Sequence, residues 1–173
     1  ERSRAAAELR RLLKDQPELR TVFITDPDVC LSPVARGLLP TLGRELGRRG
    51  MNAEIQVNLA RLNGGLAANL NDASFSLGAG VQTVSARTCR LAGRRSTRAM
   101  LETKTGLLAS AAPRARTVLS FIIGLPGDGY EDCLINFEWG LARNAGLFFH
   151  RLRVYPGTPL GHARARLGVE ALT

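Results

Sequence analysis

Apolar and polar positions alternate along this chain with two periods, one helical and one extended. Ala5 to Leu13 places apolar residues at helical spacing, with Glu8 and several arginines on the opposite face, and Pro17 closes the segment. Thr21 to Thr25 is a compact β-branched and aromatic run, which predicts a strand ending at Asp26-Pro27-Asp28. Ser32-Pro33 opens a second helix, with serine as the cap and proline in the first turn. That helix runs toward Arg49, bends at Pro40, and is capped by Gly50. A second strand covers Glu54 to Leu59, and a weak helix from Leu62 to Leu70 is broken by Gly64-Gly65. A glycine-rich strand follows at Ser74 to Val81, then helices at Ala86 to Ala92 and Thr97 to Ala111. Thr117 to Ile123 is the clearest strand, Tyr130 to Asn144 is a helix with Glu131 and Asp132 in its favourable first turn, and Leu147 to Val154 is a last strand.

Five strands separated by helices predict a parallel sheet, since each crossover must carry the chain back before the next strand starts. The fold class is α/β. The apolar strands predict a sheet buried on both faces. An open doubly wound sheet and a barrel both satisfy this pattern.

Length and composition change the picture little. The 173 residues fit one domain with a large core, and 45% hydrophobic with 23% charged residues is an ordinary globular balance. No apolar run is long enough to span a membrane, and the charged start, Glu1 to Arg4, is not a signal peptide, so a cytoplasmic location is expected. The net charge of +9 comes almost entirely from arginine. Clustered arginine can neutralise nucleic-acid phosphates, but here no aromatic residues interleave to stack bases, and compositional drift is the preferred reading. The three cysteines, Cys30, Cys89 and Cys133, are too far apart for a disulfide framework or a zinc site and read as small packed side chains.

Candidate chemistry collects at the carboxyl ends of the strands, where parallel α/β folds bind ligands. Those ends carry Asp26, then Asn58 and Arg61, then Gln82 and Thr83, then Gly124 to Gly127, then Tyr155 to Thr158. Polar side chains and glycines that expose backbone on one rim suit a flat polar ligand such as a nucleoside. His150, His162 and Trp139 read as packing or surface residues.

Three segments in this order resemble the radical S-adenosylmethionine (SAM) superfamily, above all its cobalamin-associated and coproporphyrinogen-oxidase-like branches. They are Gly80-Val81-Gln82-Thr83 followed by Leu91 and Arg94, then Ile122 to Gly127 followed by an acidic turn, then Tyr155 to Leu160. Thr21 to Asp28 resembles that family's second strand, and the likeness spans nearly the whole chain. It implies one domain over residues 1–173: a partial parallel (β/α) barrel, about five strands of a (β/α)6 core. The family binds a 4Fe–4S cluster through Cys-x3-Cys-x2-Cys after its first strand. That motif is absent from this chain, so the first strand and cluster loop are expected upstream of Glu1.

The resemblance implies reductive cleavage of SAM to a 5′-deoxyadenosyl radical, or methyl transfer through cobalamin, on a small-molecule substrate. It assigns Asp26 to the SAM ammonium, although many relatives carry Gly-Gly-Glu there. It assigns Gln82 and Thr83 to the sugar or substrate side, and Arg94 to the SAM carboxylate. Ile123, Gly124 and Leu125 would pack on the adenine, and Tyr155, Gly157 and Thr158 would complete its pocket. The implied partners are the upstream cluster-bearing segment and a cobalamin-binding domain. Two alternatives stand beside this reading: a barrel remnant that binds a nucleoside or protein without catalysis, and part of a tRNA-modifying enzyme.

Overall fold

The computed structural model describes residues 2–24, 29–155, 157–163 and 166. Its elements alternate as the sequence predicts: α1 (Arg2–Asp15), β1 (Thr21–Ile24), α2 (Pro33–Gly47), β2 (Asn52–Val57), α3 (Gly64–Asn69), β3 (Phe75–Gln82), α4 (Ala86–Leu91), α5 (Arg98–Ala111), β4 (Arg116–Ile123), α6 (Tyr130–Leu141), β5 (Gly146–Arg151) and α7 (Pro159–Ala163). The five strands form one parallel sheet in the order β1-β2-β3-β4-β5, which does not close on itself among the described residues. Strictly sequential order decides between the two architectures left open by the pattern. A doubly wound sheet reverses its strand order at a switch point, and this one never does.

The chain divides into two compact units, residues 1–80 with 102–118, and residues 81–101 with 119–173. In the first unit, Ala53, Ile55 and Val57 of β2 and Phe75, Leu77 and Ala79 of β3 are buried side by side. Leu39, Leu42 and Leu46 of α2 supply the buried stripe of that helix. The opposite face of the strands is polar and open: Asn52, Glu54 and Gln56 alternate with the buried residues, and Phe23 of β1, in register with Glu54, is also exposed. The expectation of burial on both faces is therefore corrected. β2 follows the period-two pattern of a half-covered strand, because apolar packing claims only one side of it. Gly78 lies under the side chain of Gln56, whose Nε2 would stand 2.8 Å from a Cβ at that position.

Of the local expectations, the Gly50 cap holds, while the reading of Gly64-Gly65 changes. Helix α2 runs through Pro40, and the chain leaves it at Gly50 (φ 63°), with the Met51 N–H donating to the Leu46 carbonyl at 3.0 Å. Gly64-Gly65 opens α3 instead of breaking a helix. Asn63 is its cap, and its Oδ1 accepts the Leu66 N–H at 3.0 Å. Helix α7 has no counterpart in the sequence reading.

In the second unit, Phe121 of β4 is the hub. Its ring stacks on Phe149 of β5 at 5.1 Å and meets Trp139 of α6 edge-on at 6.3 Å. Gly140 permits that approach, since a Cβ there would stand 2.6 Å from Leu147 Cδ2. Trp139 is core, as its place in the pattern suggests, and Arg143 covers its ring at 3.4 Å.

Candidate functional site

Gln82, the last residue of β3, has φ 71°. A non-glycine residue in the left-handed region costs on the order of 1 kcal/mol or more, and persists where its surroundings fix it. The residues that follow supply that fixation. Thr83 has no exposed surface. Its hydroxyl donates to Asn136 Oδ1 at 3.3 Å and accepts the Ser85 N–H at 3.1 Å. Asn136 Oδ1 also accepts the Val84 N–H at 2.7 Å. Ser85 Oγ accepts the Thr88 N–H at 3.2 Å, capping α4, and donates to the Asp132 carboxylate at 2.5 Å. That distance is the range of a hydroxyl bonded to a charged oxygen. Asp132 and Asn136 lie one turn apart on α6, so this helix holds the whole exit of β3.

The exit of β4 is built around a second carboxylate. Ile123 is 40% exposed at the strand tip, and Gly124 follows with φ 88°. Asp128 Oδ2 accepts the N–H groups of Gly124 at 2.9 Å and Leu125 at 3.0 Å, and the Asp128 N–H returns to the Leu125 carbonyl at 2.8 Å. The other oxygen of Asp128 accepts the Thr88 hydroxyl at 3.1 Å. Thr88 therefore joins the two strand exits, its N–H on the β3 side and its hydroxyl on the β4 side. Gly127 (φ 81°) takes the left-handed backbone that favours glycine, with the Leu91 side chain packed against it.

The two aspartates are tuned in opposite directions. Burial pushes Asp128 above the ordinary carboxylate range, against the hydrogen bonds that favour its charge. The Ser85 hydroxyl holds Asp132 below that range. Burial also raises the Cys89 and Cys133 thiols, so both stay protonated near neutrality. All three cysteines are free, and no group of metal ligands occurs among the described residues.

The predicted site residues fall unevenly on this frame. Thr83, Gly124 and Leu125 are held directly by the network, with Leu125 only 7% exposed, and Gln82 adjoins it as the residue before Thr83. The Leu152 N–H donates to the Ile123 carbonyl at 2.8 Å, which leads the chain from the β4 tip toward Tyr155. Tyr155 is 61% exposed. Thr158 Oγ1 donates to the Tyr155 carbonyl at 2.8 Å and accepts the Gly161 N–H at 3.0 Å, and Gly157 has φ 78°. Arg94 is exposed beyond α4, its N–H on the Cys89 carbonyl at 2.8 Å. Asp26 and Pro156 lie outside the described residues. The sequence reading missed Asp128, Asn136, Ser85 and Thr88. A signal was present: Asp132 and Asn136 stand one turn apart on a helix that also carries buried Trp139, and Asp128 lies four residues before Asp132, in the preceding turn.

No protein-family model and no curated protein matches the chain. Solved structures do. The radical SAM methyltransferase TsrM of Kitasatospora setae, with cobalamin and a 4Fe–4S cluster bound, aligns over 96% of this chain with a TM-score of 0.73 at 20% identity. The archaeal Elp3 of Methanocaldococcus infernus aligns over 95% with a TM-score of 0.68 at 14% identity. The radical SAM coproporphyrinogen III oxidase HemN of Escherichia coli aligns over 80% with a TM-score of 0.55 at 18% identity. The chain spans 31% of the TsrM chain, 45% of the Elp3 chain and 33% of the HemN chain. Sequential parallel strands, strand exits pinned by one helix and these three alignments converge: this chain has the fold of the radical SAM enzymes.

Proposed function

We propose that the chain is the SAM-binding part of a radical SAM enzyme, with Gln82, Gly124 and the residues around them as its nucleoside-facing rim. The observation that carries this reading is the left-handed backbone of Gln82 at a strand tip, fixed by a buried network that also shapes the Gly124 turn. Such strain is stored where a side chain must be presented to a ligand. The residues present suit SAM chemically. Exposed Arg94 offers a planar two-pronged donor for a carboxylate. Exposed Ile123 and the backbone at Gly124 offer an apolar edge and polar atoms for an adenine. Tyr155 and Thr158 extend the same rim, and Asp26 is assigned to the ammonium by resemblance alone. Thr83 acts beneath the rim, since its side chain is fully enclosed.

SAM would supply a cleavable sulfonium or a methyl group, and the residues named here bind it and orient it. The described cysteines do not fit the iron–sulfur cluster. Cys30 and Cys89 are buried, and no three ligands come together among the described residues. By the family resemblance, the cluster ligands and cobalamin belong to parts of the enzyme other than the described residues. TsrM binds tryptophan and a SAM analogue, and a small organic substrate is proposed here on that likeness.

Calorimetric titration with SAM tests the reading. Arg94→Ala and Gln82→Ala are each expected to weaken binding about tenfold, the loss of one charge-assisted or well-oriented contact. Far-ultraviolet circular dichroism checks that both variants keep the fold. Unchanged affinity in both variants would remove the assignment.

A further inference from the structure

We propose that Thr88 is a positioning residue that couples the two strand exits of the rim, so that the β3 tip at Gln82 and the β4 turn at Gly124 hold their shapes together. Its service to SAM rests on the reading above, while the coupling itself stands on geometry within the second unit.

Thr88 has no exposed surface. A buried hydroxyl is costly unless it is bonded, and a valine would fill the same space without that cost. Within a helix, a threonine ordinarily bonds its hydroxyl to a carbonyl one turn back. Thr88 sends its hydroxyl to Asp128 Oδ1, forty positions away, at 3.1 Å. Its N–H is held by Ser85 Oγ at 3.2 Å, and Ser85 in turn donates to Asp132. Thr88 thus stands between the carboxylate that shapes the Gly124 turn and the cap that ends the β3 exit.

Both carboxylates register it. Burial raises Asp128, and the Thr88 hydroxyl is one of the bonds that oppose that rise by favouring the charged form. Asp132 is held low first by the Ser85 hydroxyl, and the Thr88 hydroxyl adds to that hold. A hydroxyl has one proton, so two carboxylates on different strand exits draw on one donor. The other titratable and charged groups around them are Cys133, whose thiol burial keeps protonated, and Arg87, which stands near Asp132 and the Gly127 turn.

Carbon-13 NMR of the aspartate carboxyl groups through acid pH tests the coupling without a ligand. Thr88→Val keeps the volume and removes the donor, and both Asp128 and Asp132 are expected to titrate higher in it than in the unaltered chain. Thr88→Ser is expected to bring both back. A change at Asp128 alone overturns the coupling, as does failure of Thr88→Ser to restore the values. Amide nitrogen-15 shifts of the unaltered chain give a second readout that needs no variant to fold. The Ser85 and Thr88 amides on the β3 side are expected to follow the Asp128 midpoint together with Gly124 and Leu125, and independence of the two sets overturns the proposal. In calorimetry with SAM, Thr88→Val is expected to bind about fivefold more weakly and Thr88→Ser within about twofold of the unaltered chain. Unchanged SAM affinity in Thr88→Val, with its carboxylates shifted, overturns the role of Thr88 at the ligand rim. An unaltered chain that binds no SAM overturns the ligand reading instead, and shifted carboxylates in the same variants then uphold the coupling.

Discussion

The two units of the chain are stabilised by different physics. In the first, the buried side chains of the strands and of α2 are apolar, and the ion pairs lie on the surface of α1 and α2: Arg10 with Glu45, Arg11 with Glu8 and Asp15, and Arg48 with Glu45. Exposed pairs of this kind add little in water. In the second, Thr83, Ser85, Thr88, Asp132 and Asn136 are all buried and hydrogen-bonded to one another or to nearby backbone. Among the described residues of the first unit, only Ser74 and Thr105 are buried polar ones. Burying polar groups is worthwhile only where every partner is present, and the gain is a backbone held in one shape. The first unit is built to stay folded. The second also holds a strained backbone at the proposed ligand rim.

Breaking the apolar unit should cost most. Leu77→Ala, at a site with no exposed surface, is expected to destabilise by about 2–5 kcal/mol in urea unfolding. Asn136→Ala comes next, at about 2–3 kcal/mol, because it orphans the Val84 N–H and the Thr83 hydroxyl together. It should also weaken SAM binding, which Leu77→Ala should leave unchanged at temperatures where that variant is folded. Equal effects of the two variants on SAM binding would erase the contrast.

Acid sharpens it further. Asp132 is held below its unfolded value, so its contribution to stability is present above the ordinary aspartate pKa and is lost as pH falls through and below it. Asp128 has the opposite sign. Its folded value is raised, so its ionisation lowers stability as pH rises from the ordinary value toward the folded one. Asp132→Asn should therefore flatten the acid arm of a stability–pH curve, and Asp128→Asn should steepen its rise with pH. Gln82→Gly is a smaller test, expected to stabilise by about 0.5–1 kcal/mol through relief of the left-handed strain while weakening SAM binding. Smallest of all, Arg10→Ala should leave the urea midpoint within error, since the arginine side of that pair is exposed and Glu45 keeps Arg48 beside it.

The order of elements and the parallel sheet were legible in the sequence, because apolar runs of strand length stand out between helical stripes. The one-sided covering of β2 was not. The alternation of Glu54 and Gln56 with Ile55 and Val57 marks the strand itself, but the apolar runs of the other strands outweigh it in the reading of burial on both faces. Glycines marked the β4 exit correctly. The carboxylate that shapes that turn, Asp128, was hidden because an aspartate after a glycine turn has many surface explanations. Asn136 was hidden for a related reason: its acceptor meets a backbone N–H fifty-two positions away, a pairing that no local pattern encodes.

The unclosed sheet has a practical consequence. Its outermost strands are β1 and β5, and β5 carries Phe148, 54% exposed, with its ring against His150. Among the described residues no further strand pairs with that border, and such a border with an aromatic upon it is adhesive toward any other extended peptide. Preparations of this polypeptide would therefore lose colloidal stability at high concentration, and a short peptide that pairs along β5 would serve as a solubilising additive.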